Sequence, residues 1–300
     1  MLLPLAGSAQ QINYEVQNIP LYSDSIPNTT GFEFVEIADG PANDPNTYQR
    51  TSRPAISIYL PDKERRSRAA VIIFPGGAYT FLAFREEGSN IARNFASHGI
   101  TAFVVKYRLP DEMIMKDKSI GPLQDAQQAI KIVRMHAADW GIDAGKVGVM
   151  GFSAGGHLAS TAATHFNFAY IPNRENTNLR PDFQILVYPV ISMTEKLTHA
   201  GSKDRLLGRF PSPERVKLLS SELQVTDNTP PTWLTHAEDD RLVSVDNCTQ
   251  FFEALKRHNI PTEMHIYAKG DHGFVLRQPA DLWMGPIYKW MTEMGCGPGK

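Results

Sequence analysis

The feature that most constrains the fold is an alternation of short β-rich runs with longer stretches of helical periodicity. Several β-rich runs are continuous stretches of Val, Ile and Phe, as expected for strands buried on both faces of a sheet. The predicted strands are residues 56–60, 70–74, 101–107, 147–150, 183–188, 232–236 and 263–267. Strands that alternate with helices are typical of parallel sheets. The sequence therefore predicts an α/β fold with a mostly parallel central sheet flanked by helices.

Two of the intervening helices are marked by apolar residues that recur at steps of three and four. The first stripe contains Leu123, Ala126, Ile130, Val133, Ala137 and Trp140. The second stripe contains Val245, Cys248, Phe252 and Leu255. We expect both stripes to pack against the sheet as core.

The composition is that of an ordered globular protein. Of the 300 residues, 42% are hydrophobic and 21% are charged, which argues against disorder and against a coiled coil. The 30 basic and 32 acidic side chains give a formal net charge of −2, so no basic face for a nucleic-acid partner is expected. Because the sequence has no internal repeat, we predict one domain over residues 1–300.

Three segments interrupt the alternation. Within residues 1–54, the first ten resemble the back half of a secretory signal, which predicts a secreted or periplasmic protein; an ordinary N-terminus of a cytoplasmic protein is the alternative. Residues 10–54 are expected to wrap the core as an extended segment. Residues 166–181 form a polar loop, and residues 192–230 form a cap-like insertion with at most one or two short helices. Such insertions usually lie over the carboxyl ends of the strands.

Cysteine and metal-ligand patterns are sparse. Cys248 and Cys296 are too few for a disulfide framework, so two unrelated thiols are expected, with a single bridge as the alternative. No Cys/His cluster has the spacing of metal ligands, and no apolar run approaches the ~20 residues of a membrane-spanning helix. We expect no metal, no cofactor and no membrane partner, and the sequence leaves the oligomeric state open.

The residues that carry chemistry begin with a Gly-x-Ser-x-Gly motif at residues 151–155. A buried strand precedes the motif and a helical pattern follows it, which is the context of a nucleophile elbow. Gly151 and Gly155 let the strand and the helix approach closely, so that the turn lifts the Ser153 hydroxyl clear of the sheet. An ordinary glycine-rich turn is the alternative, but the context favours Ser153 as a nucleophile.

A serine hydroxyl needs a base, and after such an elbow the expected chain order is serine, then an acid, then histidine. Among nine histidines, His272 lies in a loop after the last predicted strand, at the same sheet edge as the elbow. We therefore expect His272 to be the base. Three acids follow the preceding strand, namely Glu238, Asp239 and Asp240, and sequence order alone does not choose among them.

An oxyanion hole needs backbone N–H groups directed at the developing negative charge. One is expected from Ala154, directly after the serine, and a second from the loop after residues 70–74. That loop reads Pro-Gly-Gly-Ala-Tyr over residues 75–79, and its glycines allow the backbone to approach a ligand. A Pro-Gly turn without a function is the alternative.

Together, the elbow, the 75–79 loop and the segments around Asp240 and His272 resemble an α/β-hydrolase. More narrowly, the chain is similar to carbohydrate esterases of the acetylxylan esterase and feruloyl-esterase-like group, through most of residues 55–275. The matching segments are residues 105–110, 124–127, 151–159, 186–190 and 239–243. The resemblance implies an α/β-hydrolase fold with a small helical insertion over the active site, and Asp240 as the acid of the triad.

The sequence departs from the family pattern at two positions. Ala78 stands where many relatives have a third glycine, which leaves Gly77 or Ala78 as the second oxyanion donor. Ser244 stands where a proline is usual, and we expect no consequence from this change.

The resemblance implies a serine carboxylic ester hydrolase that removes acetyl groups from xylan-type saccharides, acting on a small-molecule or oligosaccharide ester. A feruloyl or other short-chain carboxylesterase is the alternative. A peptidase with this triad order usually carries a propeller domain, for which 300 residues leave no room, and a non-catalytic binding protein would show a broken triad. For the sugar, we expect Tyr79, Phe81 and Phe274 to offer a flat apolar surface.

Three further charged residues lie directly after a predicted buried strand or in the predicted helices beside it. We expect Arg108, Asp125 and Glu87 to form an internal ion-pair network without a catalytic role.

Overall fold

The computed structural model describes residues 14–298, so the expectation for the first ten residues lies outside the described part of the chain. The strands are β1 (Tyr14–Pro20), β2 (Ile37–Asp39), β3 (Thr47–Gln49), β4 (Ala55–Pro61), β5 (Ala70–Phe74), β6 (Phe81–Leu82), β7 (Thr101–Lys106), β8 (Val147–Phe152), β9 (Gln184–Val187), β10 (Thr232–Ala237) and β11 (Thr262–Tyr267). The α-helices are α1 (Asn90–Ser97), α2 (Gly121–Met135), α3 (Ser153–Thr164), α4 (Ala200–Leu207), α5 (Pro213–Leu218), α6 (Asp246–Arg257) and α7 (Ala280–Glu293).

The strands form one sheet of eight, in the order β1-β4-β7-β5-β8-β9-β10-β11, and a small sheet of three in the order β2-β3-β6. From β7 to β11 every neighbouring pair is parallel, while β4 runs antiparallel to both of its neighbours. The prediction of a mostly parallel sheet is confirmed, and each of the seven predicted strands is present. The single-domain organisation stays a prediction.

Two hydrophobic clusters cover the two faces of the large sheet. Residues of α2, α3 and α6 pack on one face, and residues of α1 and α7 pack on the other. Successive residues of β5 are fully buried because both faces are covered, and burying each Val or Ile side chain contributes about 1.5–3 kcal/mol. In α6, Phe252 of the predicted stripe is half-buried and packs against the core, and its neighbour Phe251, outside the stripe, is fully buried.

The N-terminal segment adds strands β1, β2 and β3, of which β1 pairs with β4 at the edge of the large sheet. The expectation that residues 10–54 wrap the core stays a prediction. A buried ion pair holds part of this segment in place. Arg108 lies 2.8 Å from Asp125, and the two side chains are 1% and 0% exposed. The Tyr22 hydroxyl donates to Asp125 at 3.0 Å, and the Pro27 carbonyl accepts from Arg108 at 2.9 Å. The pair thus connects the wrapping segment to the core.

The two insertions differ in structure. Residues 166–181 are irregular, whereas residues 192–230 contain α4, α5 and a 3-10 turn at Ser221–Leu223. The Ser221 N–H donates to the Ile191 carbonyl at 3.1 Å, which fastens the second insertion beside the end of β9. Within residues 14–298, no helix combines the length and the apolar character needed to cross a membrane. Both cysteines, which lie within the described residues, are buried and free, as the sequence predicts.

Candidate active site

Ser153 lies at the turn where β8 ends and α3 begins, and its φ of 52° is in the left-handed region. Backbone strain of this kind is found at functional sites, where the surrounding structure maintains it. Two glycines make the turn possible. A Cβ atom on Gly151 would lie 2.1 Å from the Gly155 carbonyl oxygen, and one on Gly155 would lie 2.1 Å from the Phe74 carbonyl oxygen. The close approach inferred from the motif is therefore present.

The structure brings Ser153, His272 and Asp240 together at the carboxyl edge of the sheet. His272 Nε2 lies 3.0 Å from Ser153 Oγ, and His272 Nδ1 lies 2.7 Å from Asp240 Oδ2. Strands β8, β9, β10 and β11 are consecutive neighbours in the sheet, so the segments that follow their ends meet at one edge. The three groups form a continuous hydrogen-bonded chain from hydroxyl to carboxylate.

Asp240 is buried, and all of its hydrogen-bonding capacity is used. Its Oδ1 accepts from the N–H groups of Leu242 and Val243, each at 2.9 Å. Burial alone would raise the pKa of this carboxyl, but hydrogen bonds from His236, His272 and Val243 outweigh it and hold the pKa well below its ordinary value. Asp240 is therefore a carboxylate at neutral pH.

The neighbouring acid has a different partner. Asp239 Oδ1 accepts from the Asp271 N–H at 2.7 Å, and Arg241 forms a further hydrogen bond of 3.0 Å to the Asp271 side chain. These contacts hold the loop of the candidate acid against the loop that carries His272. Asp240, not Asp239, faces the imidazole.

The loop after β5 carries the candidate oxyanion donors. The Gly76 N–H is already used, because it donates to Glu87 Oε2 at 2.7 Å. Gly77 and Ala78 have φ of 124° and 55°, and in the described part of the chain no protein group accepts from either N–H. The Ala154 N–H belongs to the first turn of α3, where N–H groups have no intrahelical partner. The role of these three N–H groups as oxyanion donors stays a prediction.

The three aromatic residues expected to face a sugar lie in different environments. Tyr79 and Phe274 are each only 1% exposed, so the expectation that they offer a flat accessible surface is wrong. Phe274 packs against Tyr188 and Tyr267, with ring centroids 6.0 and 4.8 Å apart. Phe81 is half-buried and keeps accessible surface, so its contact with substrate stays a prediction.

Tyr79 has a structural partner instead. Its hydroxyl donates to His157 Nδ1 at 2.8 Å, and His157 Nε2 donates to the Leu219 carbonyl at 2.7 Å. Burial lowers the pKa of His157 to about 4, so the ring is neutral and has one accepting and one donating nitrogen, as these contacts require. One imidazole thus connects the oxyanion loop, helix α3 and the 192–230 insertion.

Glu87 is not part of an ion-pair network with Arg108 and Asp125, contrary to expectation. Arg108 and Asp125 pair with each other, whereas Glu87 contacts Gly76 and, at 3.0 Å, the Tyr188 hydroxyl. The Tyr188 ring in turn lies 4.7 Å from the His272 ring. A single glutamate in a helical stretch of sequence does not indicate that its side chain will contact Gly76 and Tyr188.

His236 lies at the site as well, and the sequence did not single it out. It is fully buried in β10, and its Nε2 lies 3.0 Å from Asp240 Oδ2 and 2.8 Å from the Val243 carbonyl. The spacing of four residues between His236 and Asp240, across the end of a strand, is the one feature that could have indicated it.

This arrangement suits attack of a hydroxyl on a carbonyl carbon. A neutral imidazole can remove the serine proton, a carboxylate fixes the imidazole tautomer, and free N–H groups near the serine can bind an oxyanion. Within residues 14–298, no group of three or more His, Cys, Asp or Glu side chains could hold a metal ion.

Comparison with known proteins identifies the family of this chain. Residues 56–255 match the BD-FAE family model. The chain is 38% identical over 220 residues to an acetylxylan esterase of Xylanibacter ruminicola, covering 72% of this chain and 42% of that protein. It is 36% identical over 245 residues to the endo-1,4-beta-xylanase B of Butyrivibrio fibrisolvens, covering 80% of this chain and 38% of that protein.

Among solved structures, the acetyl ester-xyloside bifunctional hydrolase of Caldicellulosiruptor lactoaceticus is similar with a TM-score of 0.78 and 36% identity, over 94% of this chain and 97% of that chain. This chain spans about two fifths of the length of the two curated relatives, with 42% and 38% covered. The fold is the α/β-hydrolase fold that the motifs implied. The family model covers residues 56–255, and the structural neighbour is matched over nearly its full length. The chain therefore belongs to the BD-FAE family of α/β-hydrolases.

Proposed function

We propose that the protein is a serine carboxylic ester hydrolase that removes acetyl groups from xylan-type saccharides. The observation that carries the proposal is the hydrogen-bonded chain Ser153–His272–Asp240, with distances of 3.0 and 2.7 Å, beside free backbone N–H groups. Each member has the environment that its role in acyl transfer requires.

In the first half-reaction, His272 Nε2 takes the proton of Ser153 as Oγ attacks the ester carbonyl carbon. The negative charge that develops on the carbonyl oxygen is bound by the N–H of Ala154 and that of Gly77 or Ala78. His272 then gives its proton to the leaving alcohol, and the acyl group stays on Ser153. Asp240 stabilises the imidazolium and holds its Nδ1–H.

In the second half-reaction, His272 removes a proton from water, which attacks the acyl-enzyme through the same oxyanion site. The proton returns to Ser153 as the acid leaves. The reaction as proposed uses only the residues and the water named here.

The acetyl–xylan assignment is supported by the relatives. One is named an acetylxylan esterase, and the structural neighbour is described as an acetyl ester-xyloside bifunctional hydrolase. The 192–230 insertion agrees with a small acyl group, because it holds two short helices and not a long continuous apolar lid. Export of the protein would place it with such a polymer, and we include a secreted or periplasmic location in the proposal.

The test combines one variant with one substrate panel. We expect Ser153→Ala to lose about 10⁶ in turnover of 4-nitrophenyl acetate while the fold is kept, as for other serine triads. Ser25→Ala, at an exposed serine in the wrapping segment, is the matched control and should retain wild-type activity. A folded Ser153→Ala enzyme with more than a few per cent of wild-type turnover would remove the triad from the mechanism.

The panel contains acetylated xylo-oligosaccharide, acetylated xylan and methyl ferulate. We expect acetate release from the acetylated saccharides. Cleavage of methyl ferulate without release of acetate would instead favour a feruloyl esterase, with Ser153, Asp240 and His272 in the same roles. Comparison of the oligosaccharide with the polymer shows which of them the site accepts.

A further inference from the structure

Glu87 lies in the π-helical turn Arg85–Ser89, and its side chain is buried. Both carboxylate oxygens have a partner: Oε2 accepts from the Gly76 N–H at 2.7 Å, and Oε1 accepts from the Tyr188 hydroxyl at 3.0 Å. Turns of π-helix are rare and are frequently found at functional sites. The two partners of Glu87 connect it to two different parts of the candidate active site.

The first partner leads to the oxyanion donors and the serine. Gly76 is so confined that a Cβ atom there would lie 2.6 Å from Glu87 Oε2 and 3.0 Å from Ser153 Cβ. Gly77 and Ala78, which carry the free N–H groups, follow directly and have positive φ. The hydrogen bond to Glu87 fixes the peptide plane that contains the Gly76 N–H, directly before the two candidate donors.

The second partner leads to the base. Tyr188 is fully buried, and its ring lies 4.7 Å from the His272 ring at an interplanar angle of 57°. The Tyr188 N–H donates to the Thr235 carbonyl at 2.8 Å, so the backbone is fixed to β10 while the hydroxyl is fixed to Glu87. Both ends of the side chain that packs on His272 are therefore held.

We propose that Glu87 is a positioning residue of the ester-hydrolysis site: by accepting one hydrogen bond from Gly76 and one from Tyr188, its carboxylate fixes the oxyanion loop relative to His272. The inference rests on the proposed function, in which those N–H groups and that imidazole act on one substrate carbonyl. An oxyanion site accelerates the reaction only if its donors are already in place when the charge develops.

The hydrogen-bond geometry of Glu87 agrees with this role. Burial raises the pKa of the Glu87 carboxyl above its ordinary value, although the hydrogen bonds from Gly76 and Tyr188 and the charge of His272 act in the opposite direction. The Gly76 N–H can only donate, so Oε2 must remain an acceptor in every state. A second explanation for a buried acid at this place is that its charge stabilises the imidazolium, and the experiment must separate charge from geometry.

Two variants make this separation. Glu87→Gln keeps the side-chain length and removes the charge; its carbonyl oxygen can accept from Gly76 while its N–H donates to the Tyr188 oxygen. Glu87→Asp keeps the charge but is one methylene shorter, so it cannot reach both partners. For a positioning role, we expect kcat for 4-nitrophenyl acetate to fall about 100-fold in Glu87→Asp, the loss typical of one oxyanion donor, and less than about tenfold in Glu87→Gln.

Two further readouts exclude a merely structural role. KM should change little in either variant, because the donors act on the transition state and not on the bound ester. The inhibition constant of a boronic acid that forms a tetrahedral adduct with Ser153 should weaken in parallel with kcat. Glu86→Gln, at the exposed neighbour, is the matched control and should leave all three quantities unchanged.

The outcomes that overturn the proposal are specific. Higher kcat in Glu87→Asp than in Glu87→Gln would mean that charge matters and length does not. Equal losses in the two variants, or a change confined to KM, would also overturn it, as would wild-type boronic-acid affinity in a slow Glu87→Asp enzyme. Failure of the proposed function itself is seen separately, as retained activity in Ser153→Ala.

Discussion

His236 and Asp240 form a buried pair in which the imidazole Nε2 lies 3.0 Å from Oδ2, the same carboxylate oxygen that His272 contacts at 2.7 Å. One oxygen thus accepts from two histidines. The His236 Nδ1 lies 3.3 Å from the Cys248 sulfur, and burial raises the pKa of this thiol, so the thiol donates and His236 carries its proton on Nε2. The acid is therefore oriented by a second imidazole in addition to the base.

We expect His236→Leu to lower kcat by at least about tenfold, because a hydrogen bond to a charged group contributes about 1.5–3 kcal/mol. His236→Gln, whose side-chain amide can place an N–H near the former Nε2, should recover much of this loss. The measurement is kcat for 4-nitrophenyl acetate, with circular dichroism as the check on folding. A folded leucine variant with wild-type kcat would contradict the prediction.

The two adjacent acids should behave differently. Asp240→Asn puts an amide where two imidazole N–H groups need an acceptor, so we expect a loss of up to about 10⁴ in kcat. Asp239→Asn keeps the carbonyl oxygen that accepts from the Asp271 N–H, and should cost less than about tenfold. If kinetics of the purified variants rank Asp239→Asn as the more damaging change, the acid has been assigned one residue out of place.

The lowered pKa of Asp240 predicts an acid-dependent loss of stability. Because the folded-state pKa is below the unfolded-state value, the ionised carboxylate stabilises the fold fully above the ordinary pKa of Asp. That stabilisation is lost as the pH falls through the ordinary value towards the folded-state one. Urea unfolding between about pH 6 and pH 3 should show a steeper decline for the wild type than for Asp240→Asn. Parallel curves would show that Asp240 carries no such coupling.

The buried pair of Arg108 and Asp125 should be required for stability and not for chemistry. We expect Asp125→Asn to lower the free energy of unfolding by about 3–5 kcal/mol, because it leaves a buried guanidinium without its counter-charge. The exposed pair of Glu253 and Arg257, 3.9 Å apart, supplies the control, and Glu253→Gln should change stability by less than about 0.5 kcal/mol. Equal effects of the two changes in urea unfolding would disprove the distinction.

The substrate proposal predicts a preference for short acyl chains. The value of kcat/KM should fall steadily from 4-nitrophenyl acetate through the butyrate and hexanoate to the octanoate. The ratio of kcat/KM for the acetate to that for the octanoate should therefore be well above one. The reason is that the 192–230 insertion offers two short helices and no long apolar lid. A ratio below one would contradict the short-acyl assignment.

Much of the fold follows from local patterns in the sequence. The strands of the parallel region are continuous apolar runs because both of their faces are covered, and such runs are recognisable without a structure. Strands β1, β2 and β3 were missed because they are short or lie at an edge, where half of the residues face solvent and alternation is weak. Helix α7 was missed as well, since Pro286 and Gly285 interrupt its pattern.

The residues of the candidate site also divide into those that local sequence indicates and those that it does not. Ser153, His272 and the Gly-rich loop have signals in local sequence, because a strained turn and a close backbone approach require glycine at fixed positions. The choice of Asp240 among three acids came from family resemblance. Glu87 contacts Gly76 and Tyr188, 11 and 101 positions away in the chain, and such contacts leave no periodic pattern. For His236, only its spacing of four residues from Asp240 across the end of a strand could have indicated the contact. The burial of Tyr79 was missed because its partner, His157, lies 78 positions away in the chain.

The contact between His157 and Leu219 bears on how this scaffold can change its preference during evolution or engineering. The acceptor is a main-chain carbonyl, which every amino acid provides. Side chains of the 192–230 insertion can therefore be exchanged to recognise a different alcohol, while the insertion stays fastened to helix α3 and, through Tyr79, to the oxyanion loop. A library that randomises this insertion but preserves its backbone path near Leu219 can be screened on esters of other alcohols without disturbing the groups that cleave the ester.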